Sequence, residues 1–399
     1  MITPTTTDRN DDTLICVSVG IIAWNEEEAI EAALQSLGQQ TLFAELHQRG
    51  LRAEIICMAN GCTDRTTQLA TRFFEKTASD PLLGKTVCWR VVEVPERGKN
   101  NSWNLFVHSY SAANAACLCF MDADIVIHGP ETLWRMYCAL ELTPNASVAV
   151  DHPLKDIALN GRNSLSERIS LATSGMTRTA MAQLSGQLYF IRTPIARRIH
   201  LPKDLAACED GFIKALVCTD FLTNRLCPDR VTLVDGAAHV FQSYRTFRDV
   251  LRNQKRQMIG QTIVHILIDQ YLKDLPMSER LNMAVAIQAR ENSDRDWLKR
   301  LIARHLSGVK YFWRLFPNLL RFRYERWRAL PLAKRITHFP SALAGYAVTL
   351  LASRMAFRFL KQGSINYWPD TRSPGLKHFV STRAPTSSSE RLVSTTVQP

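Results

Sequence analysis

The sequence predicts an α/β protein, a mostly parallel sheet flanked by helices, with a basic helical region at its C-terminal end. Three observations predict it. Between residues 14 and 150 short apolar runs alternate with stretches of helical spacing, the pattern of strands joined by crossover helices. Asn-, Gly- or Asp-containing turns follow those runs, where open α/β sheets bind ligands. Positive charge is confined: residues 299–361 carry 14 Lys+Arg against one acid, Glu325, while residues 1–298 carry 31 against 34 acids.

Residues 1–13 are polar, without the apolar stretch of a signal peptide, and read as a disordered leader. Leu14–Ile22 is a continuous Val/Ile-rich run, as expected for a strand covered on both faces. Glu27–Leu37 has helical spacing, and Glu54–Met58 reads as a second strand. Thr63 or Asp64 can cap a helix running towards Phe74. Val87–Val94 reads as a third strand, Asn101–Ala113 as a helix and Ala116–Met121 as a fourth strand, with a further helix opening at Pro130.

Beyond residue 150 the regularity fades. Residues 151–185 are polar and suggest a mobile, lid-like segment. Gly186–Arg192 reads as a strand, Glu209–Cys218 as the start of a helix, and Val231–Asp235 and His239–Phe241 as short strands. A long helix is expected from 245 to 273, broken by Pro276. The chain then divides into a sheet domain over 14–260, a helical basic region over 261–368 and a Ser/Thr/Pro-rich disordered tail over 369–399.

Composition is that of a globular protein, with 46% hydrophobic and 22% charged residues, which excludes disordered and collagen-like chains. The ten cysteines lie mostly inside apolar runs without CxxC or Cys–His spacing. They suggest buried thiols in a reducing compartment rather than a zinc site. No Walker A or GxGxxG spacing follows a strand, so P-loop and dinucleotide-binding readings fall away.

Five turns carry the chemistry-bearing residues. Asp122-Ala123-Asp124 leaves the fourth strand, and the two-residue period points both carboxylates one way. Such a pair suits Mg²⁺ or Mn²⁺ shared with a diphosphate, although a solvated turn has the same sequence. Asn25-Glu26-Glu27-Glu28 follows the first strand, where an N-cap with acids in the first helical turn is the alternative. Asn60-Gly61, after the second strand, allows a tight turn with Asn60 facing a nucleobase edge. Gly98-Lys99, with Asn104, can meet a phosphate at a helix start. Glu209-Asp210 opens a helix and can supply a general base with a positioning neighbour, or simply favour the helix dipole.

In their order and spacing these pieces resemble glycosyltransferase family 2. Val17–Glu26 is similar to its opening strand, Gly98-Lys99…Asn104 to its Gly-Lys-x-x-x-x-Asn, Asp122-Ala123-Asp124 to its DxD and Glu209-Asp210 to its acidic acceptor-site pair. The resemblance covers about residues 14–260. It implies a GT-A-type, Rossmann-like fold and metal-dependent transfer of a sugar from a nucleotide-sugar donor to a hydroxyl, usually with inversion. By carry-over, Glu26 and Asn60 line the base and ribose pocket and Lys99 lies near the nucleotide. Asp122 and Asp124 hold nucleotide and metal, and Asp210 deprotonates the acceptor.

Three departures stand out. The family's tandem Asp is Ala59-Asn60 here, and Asn carries no charge. The Gln-x-x-Arg-Trp motif of processive members is reduced to Asn253-x-x-Arg256-Gln257, which suggests transfer of a single sugar. His239 follows a strand and could be a third metal ligand or a satisfied core histidine. The rivals are a nucleotidyltransferase acting on a sugar phosphate, and a scaffold that keeps the fold without the chemistry.

The 299–361 segment interleaves its cations with Tyr311, Phe312, Trp313, Phe316, Phe322, Tyr324 and Trp327. Without a nucleic-acid motif, this suggests an anionic membrane surface rather than nucleic acid. Ile336–Ser353 lacks Asp, Glu, Lys and Arg but contains Pro340, which favours an interfacial or docked helix over a marginal span. The expected location is cytoplasmic, peripheral on the inner face of the membrane, with an acceptor that is lipid-linked or an envelope glycan.

Overall fold

The computed structural model describes residues 14–159, 182–244, 246–316, 324–325, 327–363, 376 and 379. Its centre, among the described residues, is an eight-stranded sheet in the spatial order Val87–Val94, Arg52–Asn60, Ile15–Ala23, Cys117–Asp122, Leu188–Arg192, Val148–Lys155, Val231–Phe241 and Val126–His128, numbered below in chain order. β1 (Ile15–Ala23), β2 (Arg52–Asn60), β3 (Val87–Val94) and β4 (Cys117–Asp122) run parallel and nearly fill the predicted windows. Burial on both faces explains the unbroken apolar runs of β1, β2 and β4. Register then decides what meets at the rim: Ala23 lies beside Ala59, Ile22 beside Asp122, and Asn60 beside Val94. The turns after all four strands therefore open on one edge of the sheet.

The remainder of the sheet was legible in part, with strands found in the windows expected at 186–192 and 231–241. β5 (Val126–His128) had no predicted counterpart. β6 (Val148–Lys155) occupies the start of the segment expected to be lid-like. It is a strand because its first four residues are buried, pairing with β8 and β7. Residues 160–181 of that expectation lie outside the described residues. β7 (Leu188–Arg192) runs antiparallel to β4 and sets Leu188 opposite Met121. The two short strands expected around residue 236 are one, β8 (Val231–Phe241), bent at Gly236, whose φ is +75°.

The helix expected over 101–113 begins earlier, Lys99–Leu105, and widens into a π-type turn over Phe106–Tyr110. Helices Ile30–Gly38, Thr66–Ala78 and Thr132–Leu142 follow their strands, and Leu42–Gln48 is an additional helix. The long helix is Phe247–Gln270. The expected domain boundary at residue 260 falls inside it, and one apolar cluster runs from Ile56 and Phe120 through Ile259 and Ile263 to Trp297, Ile302 and Leu360. The basic region is packed onto the sheet domain through that cluster.

Leu332–Lys361 is a single helix lying along Phe247–Gln270, with Pro340 inside it. Among the described residues, Ala342–Lys361 is long and apolar enough to cross a membrane by length and composition, at a mean hydropathy of 1.2. Within the stretch expected to be a disordered tail, Leu376 is buried with Phe379 against Val126 and Val240. All ten cysteines are free.

Candidate active site

At the rim of β1 to β4 the turns are stitched to one another. Asn25, in the left-handed region at φ +53°, accepts the Thr63 N–H at 2.8 Å through Oδ1. Asp64 accepts the Glu27 N–H at 3.0 Å, and the Glu26 N–H donates to Thr66 Oγ1 at 2.7 Å. Glu26 thus stands at the mouth of β1, where the sequence placed it. Asn60 is buried, and its carbonyl accepts the Gly98 N–H at 2.8 Å. That bond holds the Gly98–Lys99 turn against β2, so the side chain's oxygen serves the protein rather than an open base pocket. Arg97 stacks over Trp24, 3.5 Å from the ring centroid, beside the turns that follow β1 and β2. Gly61 sits at φ +61° with Arg97 beneath it, so a side chain there would be strained.

The centre of the site is Lys99. Its ammonium lies 2.8 Å from Asp122 Oδ1, 3.0 Å from Glu209 Oε1 and 3.2 Å from the Gly186 carbonyl. Two carboxylates separated by 87 positions in the chain are held by one cation. Asp122 and Asp124 are both half-exposed while Ala123 is buried, the alternation expected of an extended exit from the sheet. The Asp122 N–H donates to the Gln187 carbonyl at 2.8 Å, which draws the Gly186–Gln187 turn against the acids.

Glu209 and Asp210 open the Glu209–Cys218 helix, where the dipole favours negative charge. Cys208, preceding them, takes a left-handed conformation at φ +63° that turns the chain into the site. It is gripped from behind by Phe247–Gln270. The Cys208 thiol reaches Gln257 Oε1 at 3.3 Å, and Gly260 lies so close that a Cβ would come within 2.6 Å of the Ala207 carbonyl. Asn100 and Asn104 stand further back. They bond the backbone of Leu201, Pro202 and Leu205 at 2.7–2.9 Å and anchor the loop leading to Cys208.

The four ionisable groups are pushed apart electrostatically. Burial opposes the Lys99 charge, but Asp122 and Glu209 outweigh it and hold its pKa above the usual lysine range. Burial likewise works against ionised Glu209, yet Lys99 and then Arg256 keep its pKa below the ordinary value. Asp210 is pushed up to about 6 by burial first and by the Glu209 charge second. Burial also raises Asp122 to about 6, against the pull of Lys99. One carboxylate of the pair is thus held more readily in its charged form and its neighbour titrates nearer neutrality, a division suited to a positioning acid beside a base.

His239 is not brought to this cluster as a metal ligand. It is fully buried, with Nδ1 2.7 Å from Asp151 Oδ2 and Nε2 3.3 Å from Gln187 Oε1, so both ring nitrogens are engaged inside the sheet. Among the described residues no group of three or more His, Cys, Asp or Glu is arranged to hold a metal. Asp122 and Asp124 still fit one, because Mg²⁺ and Mn²⁺ sites commonly take one or two carboxylates and complete the shell with water and substrate phosphate oxygens.

Residues 18–197 match the family model described as glycosyl transferase family 2. This segment is a family 2 glycosyltransferase domain. The protein is accordingly an enzyme that transfers glycosyl groups. The matched segment contains Glu26, Asn60, Lys99, Asp122 and Asp124, while Glu209, Asp210 and Arg256 lie beyond it.

Among solved structures, the chain is similar to the mannosyltransferase PcManGT from Pyrobaculum calidifontis in complex with GDP-Man and Mn²⁺. That likeness has 17% identity over 89% of this chain and 91% of that one, with a TM-score of 0.48. S. aureus TarS 1-349 is similar at 16% identity over 90% and 95% of the two chains, TM-score 0.42. So is glucosyl-3-phosphoglycerate synthase from Mycobacterium tuberculosis, in complex with Mn²⁺, UDP-Glc and phosphoglyceric acid, at 16% identity over 66% and 82%, TM-score 0.40. Likenesses this distant transfer no substrate to the glycosyltransferase described here. No curated protein matches the chain.

Sequence reasoning missed three parts of this candidate site. Gly186 faces Glu209, and a Cβ there would lie 3.0 Å from Oε1. Arg256, first seen only as the remnant of a processive motif, is the second cation acting on Glu209. Gly260 lets the helix carrying Arg256 approach Cys208. None had a local signal, since each is defined by a contact between distant segments.

Proposed function

We propose that this glycosyltransferase moves a single sugar, with inversion, from a nucleotide-sugar donor to a hydroxyl acceptor, in a reaction that uses Mg²⁺ or Mn²⁺. The observation that supports it is the Asp122–Lys99–Glu209 bridge, which sets a donor-side carboxylate next to an acceptor-side acid pair. In this reading Trp24, Glu26 and Arg97 border the nucleoside, and Asn60 shapes the pocket through Gly98. Asp122 and Asp124 would hold the metal, which would supply positive charge beside the donor diphosphate. Asp210 accepts the proton of the acceptor hydroxyl while its oxygen bonds to the anomeric carbon. The bond from that carbon to the phosphate oxygen breaks on the opposite face, releasing a nucleoside diphosphate. Lys99 stands ready to receive the departing charge as it loosens from Asp122.

The acceptor side of the proposal is a lipid-linked hydroxyl or envelope glycan, met by the protein on the cytoplasmic face of an anionic membrane. The cations at residues 299–361 support that part.

Calorimetry against a panel of nucleotide sugars and nucleoside diphosphates, with and without Mn²⁺, tests the donor reading. One metal-dependent ligand, lost in Asp122→Ala, is expected. Binding of nucleoside triphosphates with no sugar nucleotide bound would favour nucleotidyl transfer instead.

A further inference from the structure

The Leu332–Lys361 helix presents two faces of opposite character. Towards the body it buries Ala352, Ser353, Ala356 and Leu360 against the Phe247–Gln270 helix. Away from the body Ile336, Phe339, Leu343 and Leu350 are 68%, 53%, 60% and 39% exposed. Their steps of three, four and seven residues put them on one stripe. Three further steps, of four, four and three, carry the same stripe to Arg354, Arg358 and Lys361, all exposed. The outward face is therefore apolar along its first two thirds and cationic at its end.

We infer that this stripe is a shallow wedge for an anionic lipid surface. Ile336 to Leu350 enter the boundary between headgroups and acyl chains, and Arg354, Arg358 and Lys361 stay among the phosphates. The wedge deepens the membrane part of the proposed function and does not depend on the sugar chemistry. A spanning arrangement of Ala342–Lys361 is excluded on two counts. It would set Arg354 and Arg358 on the lipid face inside hydrocarbon, and it would strip the Ala352–Leu360 face from the core it helps to build. The charge of the region selects the partner: residues 299–361 have a net charge of +13, and each cation near an anionic leaflet adds attraction. Exposed Tyr311 and Trp313, stacked 4.6 Å apart, lie at the start of the short helix Phe312–Leu315, which contacts the Leu332–Lys361 helix, and supply the amphipathic rings favoured at headgroup depth.

The test is flotation of the full chain at low salt with vesicles of phosphatidylcholine alone and of phosphatidylcholine with about one third phosphatidylglycerol. The protein is expected to float with the anionic vesicles and to be released by salt. Leu343→Glu, at an exposed site, is expected to weaken partitioning about tenfold or more. Arg354→Gln with Arg358→Gln is expected to weaken it about 30-fold. Thermal melting and donor calorimetry are expected to stay as in the wild type for both variants. Wild-type protein that ignores anionic vesicles, or floats equally after Leu343→Glu, overturns the wedge. So does a dimer in light scattering that Leu343→Glu dissociates, since a second copy would then cover the face. Donor binding that fails while flotation succeeds removes the catalytic reading and leaves the wedge standing.

Discussion

The ammonium of Lys99 sits 2.8 Å from one oxygen of Asp122 and 3.0 Å from the other, with only a tenth of its side chain exposed. It also holds Glu209, so one buried cation answers for two carboxylates brought by different segments. Removing it leaves Asp122 without its cation and Glu209 with Arg256 alone. Lys99→Met is expected to cost about 3 kcal/mol of stability at neutral pH in denaturant titration. A loss within 0.5 kcal/mol, the usual range for surface changes, would mean that the bridge is not formed in solution.

In the proposed reaction Asp210 is expected to set the acid limb of activity. With its pKa raised to about 6 by burial and by Glu209, kcat/KM for donor turnover is expected to fall tenfold per pH unit below about 6. Asp210→Asn is expected to lower turnover by about two to four orders of magnitude while donor binding persists. Stability moves the other way. A carboxyl whose folded pKa lies above its unfolded value binds more protons when folded, so between about pH 6 and 4 acidification stabilises the protein through this group. Melting profiles across that window should lose part of their pH dependence in Asp210→Asn.

Gly186 bears on chemistry rather than stability. A methyl group there meets Glu209 Oε1 at 3.0 Å and presses on the oxygen that Lys99 holds, which must give by a few tenths of an ångström. Gly186→Ala is expected to lower kcat about tenfold with little change in donor affinity. A variant with wild-type kcat would show that Glu209 has room to yield.

Gly260 is a packing position. Its Cβ would lie 2.6 Å from the Ala207 carbonyl and 2.8 Å from the Cys208 sulfur, so backbone must shift to admit it. Gly260→Ala is expected to destabilise by about 1–3 kcal/mol despite alanine's better helix propensity. Chemical denaturation measures it, and an unchanged midpoint would show that the helix can stand further from Cys208.

How much was legible follows from where each signal is written. β1, β2 and β4 could be read because doubly covered parallel strands are continuous apolar runs, the edge strand β3 because it is rich in Val, and their helices because they keep a 3.6-residue spacing. β5 is three residues long, and β6 is buried only over its first half, so neither left a distinct run. Asp122, Asp124, Lys99 and Glu209–Asp210 could be singled out as candidates because they sit directly at strand exits or a helix start. Asn60 was legible as a site residue, but its use was not. Its bond to Gly98 depends on the pairing of β2 with β3, which the local sequence does not state.

The sequence by itself determined the α/β core, the acids at its rim, the confined positive charge and the resemblance that named the family. These are properties of short windows, set by side-chain period and turn chemistry. Only the tertiary structure decided which charges meet. It placed Lys99 between Asp122 and Glu209, turned His239 inward to Asp151, brought Gly260 against Cys208 and gave the last long helix one face for the core and another for solvent. Coulomb energy and close packing act over a few ångströms of space, whereas the residues concerned lie tens to hundreds of positions apart along the chain.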